Sequence, residues 1–284
     1  MTAFIKWKIP AIEDVEVNLL LNALIDRYGY DFTGYARASL KRRLSGITHE
    51  FDVQYLSQLI PIVLYDKTVA QAVINSISVP TSEFFRDPPV WRHLRASMLP
   101  QLASFPRINV WQAGCGYGQE AYSLAILLHE TGLLKKSRIF SSDINPAFLD
   151  EARTGCWPVR YKQQWVDNYA QAGGCGDFAD FFVEADNAMT IRDEFKLPIE
   201  FIQHNLVADD VFKEVQWVVC RNVLLYFGHA LQEHVVNLFT RSLERGGYLL
   251  IGRGENIVDL PEKHPQLELL DSSLQLYRKR IGMS

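Results

Sequence analysis

From about residue 108 onward, short apolar runs alternate with amphipathic stretches, and this alternation restricts the possible fold more than any other feature of the chain. The apolar runs have the length of buried strands, and the stretches between them have helical spacing. The predicted order is strand 108–112, helix 119–131, strand 138–142, helix 146–154, strand 200–204, strand 216–220, helix 230–244 and strand 247–252. Such an order predicts a doubly wound parallel α/β sheet with its ligand crevice at the carboxyl ends of the strands.

The turn between the first strand and the first helix contains Gly114, Gly116 and Gly118. Glycine permits a tight turn and leaves room for a ligand against the backbone. The dinucleotide fingerprint requires a glycine where this chain has Gln119, which argues against an ordinary NAD site, and no phosphate-binding lysine follows the glycines. A nucleoside without a phosphate chain fits best, and S-adenosylmethionine is the common one. A purely structural turn is the alternative.

The second predicted strand ends at Asp143, on the same edge of the sheet as the glycine turn. An acidic side chain there is placed to accept hydrogen bonds from both hydroxyls of a ribose. This residue favours the nucleoside site over the purely structural turn.

The chain as a whole sets broad limits on its class. Its 284 residues allow one large domain or two smaller ones, and the net charge of -4 gives no general reason to expect nucleic acid. No run of about 18 apolar residues and no signal segment is present, so we expect a cytoplasmic protein. The four cysteines form no CxxC pair, and the seven histidines form no HExxH or zinc-like pattern, so we expect neither disulfides nor a metal.

The chain changes character along its length. Helical periodicity predicts a small all-α domain over residues 1–75, followed by a linker over 76–107 and an α/β domain over 108–284. Between about 157 and 198 the alternation stops, and an aromatic cluster without a long helix–strand unit indicates an inserted lobe. A surface excursion is one interpretation, and a partner- or substrate-facing subdomain is the favoured one. Residues 267–270 and 274–277 predict a terminal hairpin.

Six segments, taken together and in order, resemble the CheR-type chemotaxis receptor methyltransferases, which methylate receptor glutamates with S-adenosylmethionine. They are Ser82-Glu-Phe-Phe-Arg-Asp-Pro88, Ala113-Gly-Cys-Gly-Tyr-Gly-Gln-Glu-Ala-Tyr-Ser123, Ser142-Asp-Ile144, Asn205-Leu206, Cys220-Arg-Asn-Val-Leu-Leu-Tyr-Phe227 and Gly252-Arg-Gly-Glu-Asn256. The resemblance covers nearly the whole chain. It implies a class I, Rossmann-like methyltransferase sheet with a terminal antiparallel hairpin, preceded by a small all-α domain.

The resemblance also implies roles for individual residues. Gly114 and Glu120 frame the methionine end of the cofactor, and Asp143 binds its ribose. Asn205 and Leu206 are similar to adenine-side contacts, and Asn222 and Val223 to residues beside the methionine moiety. Arg86 and Tyr226 lie near the transferred methyl group and the substrate carboxylate. The cofactor-binding residues implied in this way are Ser82, Arg86, Gly114, Glu120, Asp143, Asn205, Leu206, Asn222 and Val223.

The chain departs from the family pattern at three positions. Gln119 replaces the first of two glutamates, Tyr117 replaces a small hydroxyl residue, and Gly254 replaces the usual serine before Glu255. These changes affect the fine contacts to the cofactor rather than its class. The lobe matches weakly, so docking of a receptor's carboxyl-terminal pentapeptide does not follow from the resemblance.

A predicted helix near residues 35–46 contains Arg37, Lys41, Arg42 and Arg43. The default interpretation is a solvated charged face. In the family this helix lies above the active-site opening, where its basic side meets glutamate-rich receptor helices. Nucleic acid is the lesser alternative, because no aromatic stacking set accompanies the basic residues.

The leading hypothesis is therefore a monomeric enzyme that methylates glutamate side chains of chemoreceptor cytoplasmic helices, with S-adenosylhomocysteine as its second product. A second hypothesis keeps the chemistry and changes the acceptor to another signalling protein or a small carboxylate. A third is a non-catalytic module that senses S-adenosylmethionine.

Overall fold

The structure is a computed structural model that describes residues 11–78, 82–255 and 260–282. The chain divides into two compact units, Met1–Val79 and Pro80–Ser284. Residues 79–81 of the predicted linker and Asn256 of the last motif lie outside the described residues. No helix within the described ranges is both long and apolar enough to cross a membrane.

The first unit is built from α-helices, as its periodicity predicts. The helices are α1 (Ile12–Tyr28), α2 (Arg37–Glu50), α3 (Leu59–Tyr65) and α4 (Lys67–Ile77). Their apolar faces meet in a core that includes the fully buried Leu20, Leu24, Leu44 and Val63. Asp66 precedes helix α4 as its N-cap residue, and its carboxylate accepts hydrogen bonds from the backbone N–H groups of Thr68 and Val69 in the first turn.

The second unit is built on a seven-stranded sheet. The strands of the chain are β1 (Ile108–Ala113), β2 (Ser137–Asp143), β3 (Cys156–Pro158), β4 (Phe182–Ala185), β5 (Ala188–Ile191), β6 (Ile199–Gln203), β7 (Val215–Cys220), β8 (Leu243–Ile251), β9 (Leu267–Asp271) and β10 (Leu276–Lys279). The sheet order is β6-β2-β1-β7-β8-β10-β9. The five neighbouring strands β6, β2, β1, β7 and β8 are parallel. Strand β10 pairs antiparallel with both β8 and β9, which confirms the predicted terminal hairpin.

Helices connect these strands. They are α5 (Pro88–His93), α6 (Leu99–Leu102), α7 (Gln119–Glu130), α8 (Pro146–Thr154), α9 (Lys162–Gln171), α10 (Asp193–Lys196), α11 (His229–Ser242) and α12 (Leu260–Lys263). The chain runs outward from β1 to β2 and β6 on one side and to β7 and β8 on the other, so the strand order reverses between β1 and β7. In sheets of this type, ligands bind at the carboxyl ends of the strands beside that reversal.

Strand β8 differs from its prediction. It begins at Leu243 rather than near 247, and α11 ends at Ser242 rather than near 244. Gly246 has a φ of 78° within the strand, and the pairing with β7 shifts register between Val215 and Trp217. The glycines therefore form an irregularity inside the strand, whereas the sequence pattern indicates a turn before it.

The inserted lobe is more regular than predicted. It contains the ten-residue helix α9 and a three-stranded antiparallel sheet of order β3-β5-β4, elements that the sequence pattern does not indicate. Trp165 and Tyr169, four residues apart on α9, are both 2% exposed and pack against Phe84, Phe85 and other aromatic side chains. This tertiary contact stabilises the helix. The spacing of apolar residues in so polar a segment does not indicate such a contact.

Candidate active site

The glycine turn lies between β1 and α7. Gly114, Gly116 and Gly118 all have left-handed backbones, with φ of 75°, 51° and 86°. A Cβ added to Gly114 would lie 2.3 Å from Val223 Cγ2, and one added to Gly118 would lie 3.0 Å from Ala152 Cβ. Glycine is therefore required here both for backbone conformation and for close packing.

Asp143 ends β2 and faces this turn. Its Oδ2 accepts a hydrogen bond of 2.9 Å from Gly116 N, and its Oδ1 accepts one of 3.0 Å from Asn145 N. Burial raises the pKa of the carboxyl group, and the backbone N–H bonds oppose that rise. An ionised carboxylate has about four lone-pair positions, so each oxygen can accept a further bond from a ligand hydroxyl.

Asn205 and Leu206 follow β6, the neighbour of β2. The Asn205 side chain accepts a hydrogen bond of 2.9 Å from Val207 N, and its own N–H donates to Asp209 Oδ2 at 2.8 Å. Leu206 is 8% exposed. These contacts fix a short turn at the carboxyl edge of the sheet, beside the strand that ends at Asp143.

The loop after β7 contains Asn222, Val223 and Tyr226. Asn222 has a left-handed backbone with φ of 63°. The buried carboxylate of Glu255 accepts hydrogen bonds from Asn222 N at 3.0 Å, Leu225 N at 3.1 Å and Gly252 N at 2.7 Å. Burial raises the pKa of Glu255, against the effect of these N–H groups. Glu255 thus holds the loop, a role that the sequence analysis did not assign to it.

Glu120 and Gln119 begin α7, and their side chains differ in what they bind. Glu120 Oε2 accepts a hydrogen bond of 2.6 Å from Arg221 Nη1. Gln119 is 5% exposed, and within the described part of the chain its Oε1 has no hydrogen-bond partner. Neither Arg221 nor Gln119 is among the predicted site residues, although both lie inside the motifs that carry the family resemblance.

A cavity of about 740 Å³ opens beside the glycine turn. It is lined by Ser82 and Arg86 from the segment before α5, by Tyr117 and Gln119, and by lobe residues that include Tyr161. Of the predicted site residues, only Ser82 and Arg86 are among its lining residues. Gly114, Asp143 and the residues after β6 and β7 are instead grouped at the carboxyl ends of the strands.

The basic residues of α2 belong to the first unit. Lys41 Nζ lies 2.8 Å from Asp14 Oδ1 and holds the pKa of that carboxyl below its usual value, and Arg37 lies near the same carboxylate and Asn18. Arg43 donates a hydrogen bond to the carbonyl oxygen of Ile77. Arg42 is exposed.

The geometry suits an adenosyl ligand. One edge of the sheet holds a carboxylate at the end of β2, a glycine turn without a phosphate-binding lysine, and at the start of α7 a buried oxygen that has no hydrogen-bond partner in the described part of the chain. Together with the strand order and the terminal hairpin, they define a class I S-adenosylmethionine-dependent methyltransferase.

Two family models match the chain. Residues 16–78 match the all-alpha domain of CheR methyltransferases, and residues 80–271 match their S-adenosylmethionine-binding domain. The chain belongs to the CheR methyltransferase family, and S-adenosylmethionine is its cofactor.

Similar proteins come from several bacteria. The Cher3 protein of Pseudomonas putida is 38% identical over 94% of this chain and 97% of its own length. A chemotaxis protein methyltransferase of Listeria innocua is 29% identical over 81% of this chain and 86% of its own length. Chemotaxis protein methyltransferase 1 of Vibrio cholerae is 30% identical over 79% of this chain and 82% of its own length. These relatives match both units of the chain.

Proposed function

We propose that the protein transfers a methyl group from S-adenosylmethionine to glutamate side chains of chemoreceptor cytoplasmic helices, forming methyl esters. The observation on which the proposal rests is that Arg86 lines the cavity beside the glycine turn. A guanidinium in that position suits an acceptor that is itself a carboxylate, because the two form charge-assisted hydrogen bonds. Relatives named chemotaxis protein methyltransferases support the choice of receptors as acceptors.

The reaction requires no general base. A glutamate side chain with an ordinary pKa near 4.3 is more than about 99% ionised at pH 7 and is already a nucleophile. S-adenosylmethionine supplies an electrophilic methyl group on a sulfonium. The protein must hold one carboxylate oxygen in line with that group and exclude water, which is a task of orientation and enclosure.

Individual residues have separate tasks in this proposal. Asp143 binds the ribose hydroxyls, with its orientation fixed by Gly116 N and Asn145 N. Arg86 pairs with the acceptor carboxylate, and Tyr226 orients the same group by its phenol. The aromatic ring of Tyr226 also favours a nearby cation, by about 1 kcal/mol. The acceptor neither gains nor loses a proton in the reaction. Its carboxylate is already ionised when it binds, and the product is a neutral methyl ester.

The test is transfer of radiolabelled methyl groups to purified receptor cytoplasmic domains. We expect label that mild base releases as methanol, since esters hydrolyse under conditions that leave methylated amines intact. Arg86→Ala should lower the transfer rate by more than it lowers affinity for S-adenosylhomocysteine. The same receptors with their modifiable glutamates changed to alanine are the matched control.

Three outcomes would contradict the proposal. Base-stable label would exclude a glutamate ester, and cofactor binding in calorimetry without transfer to any receptor would favour the sensing module. Base-labile transfer to another acidic protein but to no receptor domain would favour the second hypothesis, a different acceptor.

A further inference from the structure

Arg86 lies in a stretch of unusual backbone. The residues on both sides of it, Phe85 and Asp87, have left-handed conformations with φ of 52° and 55°. Residues other than glycine seldom adopt such φ values, and they keep them only where surrounding contacts hold them. Phe85 N donates a hydrogen bond of 3.0 Å to Ser123 Oγ, which ties one end of the stretch to α7. The location of Arg86 therefore depends on neighbouring contacts.

The principal contact at the other end of the stretch is Arg221, whose side chain is completely buried. Its Nη2 donates to the carbonyl oxygen of Arg86 at 3.0 Å and to Asp87 Oδ2 at 2.6 Å. Its Nη1 donates to Glu120 Oε2 at 2.6 Å. One guanidinium thus joins the end of β7, the start of α7 and the backbone of Arg86. These are three segments that border the predicted cofactor site.

Trp91 strengthens the same arrangement. Its Nε1 donates a hydrogen bond of 2.8 Å to the carbonyl oxygen of Arg86, the atom that Arg221 also contacts. The guanidinium carbon of Arg221 lies 5.7 Å from the centre of the Trp91 ring. A planar guanidinium can bind two carboxylates and a carbonyl at once while it lies near a ring, whereas the single ammonium of lysine cannot reproduce that geometry.

We propose that Arg221 is a positioning residue for methyl transfer: it fixes the backbone of Arg86 so that the Arg86 side chain is held at the cavity. The assignment rests on the proposed function, because Arg86 acts on the acceptor only if the acceptor is a carboxylate. In this assignment Arg221 acts through Arg86 and forms no bond with the acceptor. Glu120, with a side chain 9% exposed, pairs the charge of Arg221 in the interior, and Asp87, with a side chain 37% exposed, pairs it toward the surface.

The test is a double-mutant cycle between positions 221 and 86 in the 284-residue chain. Arg221→Lys should lower kcat at saturating receptor by about 100-fold, the loss expected when a reacting group is displaced by about 1 Å. Affinity for S-adenosylhomocysteine, measured by calorimetry, should change by less than about threefold. In an Arg86→Ala background, Arg221→Lys should lower kcat by no more than about twofold, because the group through which it acts is already absent.

A matched control is available in the same unit. Arg95 and Glu130 form another, partly buried ion pair, with side chains 12% and 9% exposed, and Glu130 lies at the end of α7 opposite the glycine turn. Arg95→Lys should lower the melting temperature and leave kcat unchanged. If Arg221→Lys does not fold, Asp87→Asn removes one partner of Arg221 and keeps the Glu120 pair. We expect kcat of the Asp87→Asn variant to be about tenfold lower than that of the natural protein. In the Arg86→Ala background, Asp87→Asn should cause no further loss of kcat.

The outcomes separate the two proposals. Equal losses of kcat in both backgrounds would mean a general structural role and would overturn the assignment of Arg221 alone. Absence of base-labile transfer by the unmodified protein would overturn the proposed function, and the assignment with it. Loss of kcat confined to the background that retains Arg86 supports both.

Discussion

At the scale of single residues, the start of α7 contains two adjacent polar side chains with different contacts. Glu120 is paired with a buried guanidinium, whereas Gln119 lines the cavity and its buried Oε1 has no hydrogen-bond partner among the described residues. A buried acceptor without a partner costs free energy, and a donor on a ligand would remove that cost. The α-ammonium of the cofactor's methionine end is such a donor. Gln119 is therefore a better candidate than Glu120 for a direct contact there.

This difference yields a prediction about cofactor affinity. Gln119→Leu should weaken binding of S-adenosylhomocysteine by about threefold to tenfold, the equivalent of one hydrogen bond of about 1 kcal/mol. Gln119→Glu keeps an acceptor at the same position and should bind at least as tightly as the natural protein. Calorimetry with the three proteins measures the effect, and equal affinity for the leucine variant would contradict it.

Some residues of the site can be predicted from the sequence, and the ionic contact of Glu120 cannot. The glycines and Asp143 were identifiable because each satisfies a local requirement, a left-handed turn or the end of a strand. The ion pair between Glu120 and Arg221 was not identifiable from the sequence, because the two residues are 101 positions apart in the chain. Contacts of that kind are set by the packing of separate segments, and no periodicity in either segment signals them.

At the scale of elements, the loop after β7 depends on one buried carboxylate. Glu255 accepts hydrogen bonds from three backbone N–H groups, two of them in the loop that contains Asn222 and Tyr226. A carboxyl whose folded-state pKa lies above its unfolded value binds its proton more tightly when folded. The stability linked to that proton is present below about pH 4.5 and is lost as the pH rises through the folded-state pKa.

We expect Glu255→Leu to lower the free energy of unfolding by at least about 2 kcal/mol at pH 5, because buried N–H groups lose their acceptor. The difference between the natural protein and the variant should shrink between pH 5 and pH 7, since only the natural protein carries a buried group that ionises at this position. Urea denaturation of both proteins at several pH values measures this difference in the free energy of unfolding. A difference that grows with pH would show that the folded-state pKa is lowered instead.

Element boundaries show why the remainder of the fold was harder to predict. The parallel strands were predicted within a few residues, because the central strands β1 and β7 are buried along most of their length and give continuous apolar runs. Strand β8 was predicted too short because Gly246 indicates a turn, whereas the pairing with β7 continues across it. Helix α9 was missed because it buries Trp165 and Tyr169 against aromatic residues from distant segments, and most of its remaining positions are polar.

At the scale of the whole molecule, the all-α unit and the methyltransferase unit contribute different kinds of residue to the proposed function. The second unit contains the cofactor-site residues, and the first contains the basic residues predicted to meet the acceptor. Three of those four basic side chains have partners within the first unit: Arg37 and Lys41 lie near Asp14, and Arg43 bonds Ile77. Arg42 is the exposed member of the set, so its charge is the one most accessible to an acidic receptor helix.

The last prediction therefore concerns the acceptor rather than the cofactor. Arg42→Glu should raise the KM for receptor domains by about fivefold, because reversing one exposed charge opposite an acidic surface changes the interaction by about 1 kcal/mol. Affinity for S-adenosylhomocysteine should stay the same. Arg138→Glu is a matched control, since Arg138 is an exposed arginine near the amino end of β2, opposite the cofactor edge of the sheet.

Ionic strength distinguishes an electrostatic effect from a disturbed fold. The Debye length falls from about 10 Å at 0.1 M salt to about 3 Å at 1 M, so the difference in KM between Arg42→Glu and the natural protein should fall as salt is added. A difference that persists at high salt would mean that the substitution disturbs α2 itself. An unchanged KM at low salt would exclude Arg42 from receptor recognition and leave acceptor choice to the lobe and the cavity.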